Sequence, residues 1–321
     1  MINLIIDGNF LLNRLVFPLA KANQLYGLLH KSLEKSVNNY RTWYPFNNIF
    51  FVSDSKASWR KNLYSEYKAN RKKDADIDWE FVYIAYDEFK QSLPKHIKIL
   101  EQESIEGDDW IWGIVKQSNK LGYSNLIMSN DYDIKQLIDK SISDKSWINI
   151  MSNEYFGKEK VFVPDSYEVY LDRLQSNRSN DIFNLDDNAQ LYNFLESFIL
   201  KRDINVVNNL ESLFIKIVSG DKSDNINSAY QAKTSTGKLR GIGDKGAKKL
   251  WDIYIKEFGD FKISDSDISE NIADIILESK GMSINNLEKV SKAVRDNMLL
   301  TCLDFIPNDI KSIIDSKINL V

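Results

Sequence analysis

The chain has 321 residues, with 42 Lys and Arg against 46 Asp and Glu, two histidines, one cysteine and a formal net charge of −4. That length suits one large domain or a core with an attachment, enough to bury a real hydrophobic centre. The lone Cys302 excludes a disulfide framework or a cysteine-based zinc site. His30 and His96 lie outside any HExxH or nucleophile motif, which leaves hydrolytic chemistry to carboxylates.

The opening stretch "MINLIIDGNF" lacks the basic n-region and long apolar run of a signal peptide, and no segment approaches a membrane span; a cytoplasmic protein is expected. Its "NLIID" (3–7) reads as a buried strand closing on Asp7. Helical periodicity follows, with Leu25, Leu28, Leu29 and Leu33 on one face. A second strand, "IFFVSD" (49–54), closes on Asp54.

Next comes "SKASWRKNLYSEYKANRKK" (55–73), whose cations Lys56, Arg60, Lys61, Lys68, Arg71, Lys72 and Lys73 face a single acid, Glu66. As a helix it would set Arg60, Tyr64, Tyr67, Lys68 and Arg71 on one face. Solvated charged faces usually mix signs. Cations interleaved with aromatics instead suit a phosphate backbone with stacked bases.

The third strand is "IKIL" (97–100), followed by "SIEGDDW" (104–110) with Glu106, Asp108 and Asp109. Acids are favoured at a helix start by the macrodipole, so this segment alone is either an ordinary cap or one wall of a metal site. Trp110 and Trp112 behind it read as core. A fourth strand, "LIMSND" (126–131), closes on Asp131, with Asp133 beside it; Asp221 and Asp224 come later in "SGDKSDN". Last, "KLRGIGDKGAKKLWDIY" (238–254) places a turn at Gly241 and Gly243 before a helix bearing Lys245, Lys248 and Lys249, which reads as a helix-hairpin-helix grip on duplex backbone.

Strands alternating with helices predict an α/β fold with a mostly parallel sheet flanked by helices. Such sheets build sites beyond the carboxyl ends of their strands, where these acids repeatedly fall. Nine carboxylates are therefore candidates: Asp7, Asp54, Glu106, Asp108, Asp109, Asp131, Asp133, Asp221 and Asp224. Packed together they would protonate unless cations lay among them. Oxygen-only ligands suit Mg²⁺ or Mn²⁺, and two such ions about 3.5–4 Å apart suit phosphodiester cleavage. With the nine set aside from a net charge of −4, the remainder carries +5, so an acidic total is compatible with a polyanionic partner.

The ordered set "IIDGN", "FVSD", "YKANR", "IEGDDW", "MSNDYD", "VSGDKSDN" and "GIGDKGAKKL" resembles the 5′-nuclease, or flap endonuclease, superfamily. Within it, "SKASWRKNLYSEYKANR" and "NMLLTCLDFIPNDI" are most similar to the ribonuclease H of T-even-type bacteriophages. The resemblance implies a PIN-like core over 1–165, an arch at about 67–93, and a mainly helical region over 166–321 with the helix-hairpin-helix at about 213–257. It implies Mg²⁺-dependent 5′→3′ hydrolysis of RNA or DNA annealed to DNA, cleavage of 5′ flaps, and removal of lagging-strand RNA primers in phage replication. By position, Lys68 and Arg71 match the pair that engages the scissile phosphate, Tyr67 the aromatic that stacks near it, and the nine acids the two-metal carboxylates. Arg60, Lys61, Tyr64, Lys72, Lys73, Gly241, Gly243, Lys245, Lys248 and Lys249 are the expected nucleic-acid contacts. A monovalent cation at the hairpin, a single-strand-binding protein and a sliding clamp as partners, a monomeric state and a host cytoplasm complete the expectation.

Two departures from the family pattern stand out. The segment from Val163 to Asp221 is long, with the polar "RLQSNRSNDIFNLDDNAQ" (173–190) inside it, and "INSAYQAKTSTGK" (226–238) exceeds a short turn. Among rivals, an aspartyl phosphotransferase would need a D-x-D where the first strand ends in "IIDGN". A stand-alone PIN endoribonuclease would need fewer acids and no helical module. A non-catalytic nucleic-acid-binding replication factor would have no need of so much mutual repulsion.

Overall fold

The computed structural model describes residues 1–140, 147–155, 158–167, 185–282 and 284–320, which form two compact units. The first comprises 1–58, 72–208 and 308–321; the second comprises 59–71 and 209–307.

The first unit is built on seven strands in the order β3-β2-β1-β4-β5-β6-β7. They are β1 (Ile2–Asp7), β2 (Ile49–Val52), β3 (Ile97–Leu100), β4 (Ser124–Met128), β5 (Asn149–Tyr155), β6 (Lys158–Pro164) and β7 (Asp203–Val207). Every pairing is parallel except β5 with β6. Leu4 lies opposite Ile49 on one side and Leu126 on the other, so the central strands run in step. β1 and β4 are buried at every position, as a sheet covered on both faces requires.

Strand alternation divides those faces. Ile2, Leu4 and Ile6 join a core with Leu11 and Val16 of α1 (Gly8–Lys21), Leu29, Leu33 and Val37 of α2 (Leu25–Arg41), and Val82 and Phe89 of the helix Trp79–Ser92. Asn3 points the other way and donates to Ser118 Oγ (2.9 Å) on the helix Gly107–Lys120. From Asn3 a buried amide ladder crosses the sheet through Asn125 to Asn149, satisfying polar groups that would otherwise be costly to bury.

The four expected strands are present. Two end earlier than the sequence suggested, so Asp54 and Asp131 lie two and three residues beyond strands that close at Val52 and Met128. Strands β5 to β7 were not anticipated. Because β7 pairs with β6, the first unit continues to Asn208 rather than dividing near 165. Of the polar stretch 173–190, residues 173–184 lie outside the described residues and the remainder begins the helix Leu185–Ile199.

The second unit is mainly helical. After α3 (Arg60–Leu63) come α4 (Asn209–Ser219), α5 (Asp244–Phe258), α6 (Ile268–Ser279) and α7 (Leu287–Thr301), with a hairpin of β8 (Gln231–Lys233) and β9 (Leu239–Gly241). Its core clusters Phe214, Trp251, Tyr254 and Phe261 edge to face, with ring centroids 5.4–5.6 Å apart.

The single helix expected over Arg60 to Arg71 is not formed. α3 stops at Leu63, Tyr64 is extended, and Lys68 takes a left-handed φ of 57°. The segment instead closes on the turn 221–225. Lys68 N donates to Asp224 O, Asn70 Nδ2 to Lys222 O, Arg71 Nε to Ser223 O, and Asn225 Nδ2 to Glu66 O. These tertiary hydrogen bonds outweigh helical propensity here.

Candidate active site

In the first unit the acids gather beyond the carboxyl ends of the parallel strands. Asp7 ends β1 and caps α1: its Oδ1 accepts from Phe10 N (3.0 Å), and its Oδ2 accepts from Ser129 Oγ (2.7 Å). Burial drives the Asp7 carboxyl up to about 7, with Asp54 and Asp131 adding repulsion that the two hydrogen bonds only partly offset.

Asp54 is clamped. Its Oδ2 accepts from Asn9 Nδ2 (2.5 Å) and its Oδ1 from Gly107 N (2.6 Å), while its own amide donates back to Asn9 Oδ1 (3.2 Å). A Cβ at Gly107 would lie 3.1 Å from Asp54 Oδ1, so glycine there permits the close approach.

Asp131 takes the cap of a 3₁₀ turn, Tyr132–Leu137, and accepts from Asp133 N (2.8 Å); its amide donates to Ser129 Oγ (3.1 Å). Ser129 therefore links Asp7 to Asp131 through one fully buried hydroxyl. Asp108, in the first turn of the helix 107–120, completes the group: Asp108, Asp131 and Asp133 each bring a carboxylate oxygen within 4.8 Å of the others.

Asp109, also expected as a ligand, lies at the start of the same helix. It is fully buried, and its Oδ2 accepts from Glu106 N (3.0 Å), closing the start of the helix 107–120. At the third helical position a carboxylate turns back to the cap amide, which is where this one is used. Glu106 is the cap residue and is buried. Trp110 and Trp112 are core, as expected.

Sequence reasoning missed Ser129, Asn9 and Tyr86. The first two stand two residues from one acid, in "SND" and "DGN", but hold the carboxylate of another: Ser129 that of Asp7 and Asn9 that of Asp54. Tyr86 Oη lies 3.1 Å from Ser53 Oγ, and its ring region presses on Gly8, where an added Cβ would meet Tyr86 Oη and Phe51 Cε1. Only the packed structure reveals that constraint.

The second unit holds Asp221 and Asp224. Asp221 Oδ2 pairs with Lys216 (2.8 Å), and its Oδ1 accepts from Ser223 N and Oγ (both 2.7 Å). Burial raises the Asp221 carboxyl, but the Lys216 charge and these hydrogen bonds outweigh it and hold it down at about 2. Asp224 is buried between Arg71 (2.5 Å) and Tyr67 Oη (3.1 Å).

Tyr67 is 3% exposed, packs with Ile226 and Leu300, and has Lys68 Nζ 4.9 Å from its ring centroid. Its expected stacking face is thus covered within the unit. Arg60, expected on a nucleic-acid face, is also buried: its Nε donates to Leu300 O and its guanidinium stacks on Trp59. Lys61 is exposed and Tyr64 partly so. In the first unit, Lys72 is exposed and Lys73 Nζ lies 4.4 Å from the Tyr83 ring centroid.

At the second basic element, Gly243 caps α5, and Lys245 and Lys249 are exposed. Lys248 differs. It pairs with Glu211 (2.5 Å) and Asp252 (3.3 Å), which raise its pKa and occupy the ammonium expected on phosphate.

The family described as 5′-3′ exonuclease, N-terminal resolvase-like domain, matches residues 3–164. This chain belongs to that family. The match carries Asp7, Asp54, Glu106, Asp108, Asp109, Asp131 and Asp133. Relatives include DNA polymerase I of Caldicellulosiruptor bescii, 26% identical over 78% of this chain and 24% of the polymerase. A 5′-3′ exonuclease of Mycoplasmopsis pulmonis is 27% identical over 77% of this chain. The chain spans 65% of that exonuclease, so less than two thirds of either relative.

The fold is also similar to that of the bacteriophage T5 flap endonuclease in a complex with DNA and metal ions. That likeness has a TM-score of 0.59 at 17% identity, over 98% of this chain and 97% of the other. Among the described residues no helix is long and apolar enough to cross a membrane.

Proposed function

We propose that this chain is a two-metal 5′-nuclease, hydrolysing phosphodiesters of RNA or DNA annealed to DNA and cleaving 5′ flaps. The observation that carries the reading is the convergence of Asp108, Asp131 and Asp133 within 4.8 Å, beside Asp7, in a family of 5′-3′ exonucleases. The donor set fits a hard divalent cation: it is all oxygen, and the burial that raises the Asp7 carboxyl to about 7 is a cost that a neighbouring cation would offset.

Mg²⁺, with Mn²⁺ as a substitute, would supply Lewis-acid activation of water and charge neutralisation at the phosphate. Asp7, Asp54, Asp108, Asp131 and Asp133 would hold the ions in the first unit. Ser129 holds the Asp7 carboxylate and the Asp131 backbone amide, the amide of Asp133 holds the Asp131 carboxylate, and Asn9 holds that of Asp54. Asp221 and Asp224 are assigned to the same carboxylate set, and Lys68 and Arg71 to the scissile phosphate, by their places in "SGDKSDN" and "YKANR". Arg71 is already oriented by Asp224. Glu106 and Asp109 position the helix that carries Asp108.

Residues 67–93 would form the arch, and 213–257 the helix-hairpin-helix, with a monovalent cation at its turn. The biological task would be RNA-primer removal in phage replication by a cytoplasmic monomer, alongside a single-strand-binding protein and a sliding clamp. The test is cleavage, with Mg²⁺ or chelator, of a 5′-flap duplex, a nicked RNA–DNA hybrid and single-stranded RNA. Mg²⁺-dependent products from the first two are expected. Cleavage of single-stranded RNA alone supports the endoribonuclease alternative, and binding without products supports the non-catalytic one.

A further inference from the structure

Tyr132 stands between Asp131 and Asp133 in "SNDYD", yet the carboxylate chemistry has no use for it. Its residue surface is 61% exposed. An exposed aromatic alone needs no explanation. This one is held in place. Lys135 Nζ lies 4.0 Å from the Tyr132 ring centroid and 4.7 Å from that of Phe162. The two rings cross at 80° with centroids 6.2 Å apart. The ammonium covers one face of Tyr132 and leaves the opposite face to solvent.

The strands behind it supply the rest. β4 ends with Met128 opposite Ser152, so Asn153 of β5 lies beyond the carboxyl end of β4, the end from which Asp131 and Asp133 follow. Asn153 is directly opposite Lys160 of β6, as Met151 is opposite Phe162. Opposed residues of an antiparallel pair, and residues two apart along a strand, share one face. Asn153 and Lys160 therefore lie on the same side of the sheet as Phe162, where the Lys135 ammonium sits.

These polar groups are uncommitted. Among the described residues the Lys135 and Lys160 ammonium groups make no ion pair or hydrogen bond, and Asn153 Oδ1 is buried with no partner. Lys135 is half-buried; burial and then the neighbouring Lys160 charge hold its pKa below the ordinary value. Two like charges brought together are relieved by an anion, and an orphaned amide oxygen by a hydrogen-bond donor. A nucleotide offers both, and a flat ring besides.

We propose that Tyr132, Lys135, Asn153 and Lys160 form a nucleotide subsite, in which an unpaired base stacks on the open face of Tyr132 with Asn153 at its edge and the phosphate lies between the two lysines. Because Tyr132 lies between two of the clustered acids, the occupant is a flap nucleotide next to the bond being cleaved. The choice of substrate rests on the nuclease reading above, but the subsite concerns binding and not cleavage. It lies outside both basic elements, 55–73 and 238–254, so it adds to the duplex grip a means of telling a flap from a plain duplex.

The test is fluorescence anisotropy in chelator, comparing a duplex that carries a short 5′ oligothymidine flap with the same duplex lacking it. Tyr132→Ala should lose about 5- to 100-fold in affinity for the flapped duplex, the range for one lost stacking platform, and leave the unflapped duplex unchanged. Tyr132→Phe should keep the flap preference, because stacking needs only the ring. Lys135→Gln/Lys160→Gln should take about 0.7 from the magnitude of the log–log salt slope on the flapped substrate, the value for one single-strand phosphate. A flap carrying 5-iododeoxyuridine should photo-cross-link to Tyr132 in wild type, and matching thermal melts would establish that each variant is folded. Unchanged flap affinity in Tyr132→Ala, equal losses on both duplexes, or a flap that cross-links elsewhere and not to Tyr132 overturns the proposal. Intact flap preference through these residues with no Mg²⁺-dependent cleavage would instead count against the nuclease reading and leave the subsite standing.

Discussion

Replacing Asp7 with Asn should stabilise the metal-free protein near pH 8 while removing its activity. Burial, with repulsion from Asp54 and Asp131, raises the folded carboxyl from an ordinary 3.8 to about 7. At 1.36 kcal/mol per tenfold change, that interval corresponds to about 4 kcal/mol of differential stability. The sign follows from proton binding. Between those two values the folded protein holds a proton that the unfolded chain has released, so stability is fully present below the unfolded value and is lost as pH rises through the folded one. Above about pH 7 wild type carries the whole cost of a buried carboxylate; Asn carries none. Asn can keep the bond from Phe10 N through its oxygen and, with the Ser129 hydroxyl turned to accept, donate to Ser129 Oγ through its nitrogen. Urea unfolding in chelator at pH 5 and pH 8 measures this. Wild type should lose about 2–4 kcal/mol more than Asp7→Asn between the two, and Mg²⁺ at pH 8 should return more stability to wild type than to the variant. Parallel pH profiles for the two proteins would refute the reasoning.

Ser129→Ala removes the donor to Asp7 and the acceptor for Asp131 N, so it should cost about 1–3 kcal/mol by thermal melting and lower cleavage without abolishing Mg²⁺ dependence. Gly8→Ala forces a Cβ to within 2.5 Å of Phe51 Cε1 and should cost about 1–3 kcal/mol in urea titrations. Arg71→Ala leaves the buried Asp224 without its guanidinium and should both destabilise the protein and slow single-turnover cleavage. Tyr67→Phe, which loses one hydroxyl hydrogen bond, should cost only about 1 kcal/mol. Because Lys248 is committed to Glu211 and Asp252, Lys245→Ala should reduce the salt slope of duplex binding by about 0.9 and Lys248→Ala by much less.

The central half of the sheet was legible because its strands are near-continuous apolar runs ending in acids, a pattern that burial on both faces produces directly. Strands β5 to β7 were not, because their buried positions include the polar Asn149 and Ser152, and the cross-strand hydrogen bond that Asn149 accepts from Asn125 is not displayed by a linear pattern. The acids of "IEGDDW" and "SNDYD" were legible as a group, but their division of labour was not. An acid in the first helical turn reads alike whether it turns back to the cap, as Asp109 does, or joins the acid cluster, as Asp108 does. Tyr67 and Lys68 have helical spacing in sequence, yet the left-handed turn at Lys68 is set by Asp224, more than 150 residues away. The pairing of Lys248 with Glu211 is hidden for the same reason: charge runs reveal sign, and only tertiary structure reveals which charges are already neutralised.

Single-turnover cleavage of a 5′-labelled flap duplex by wild type and Asp131→Asn, across a Mg²⁺ titration, tests the metal-nuclease assignment most directly. Asp131 sits between Ser129 and Asp133 with a carboxylate oxygen in the three-acid cluster, so it should be a direct ligand. The account predicts Mg²⁺-dependent release of the flap by wild type, and a loss of at least ~10²-fold in the variant, the scale of removing a major electrostatic stabiliser. Duplex affinity in chelator should stay largely intact. Near-wild-type turnover by Asp131→Asn, or flap cleavage by wild type undiminished in chelator, would contradict it.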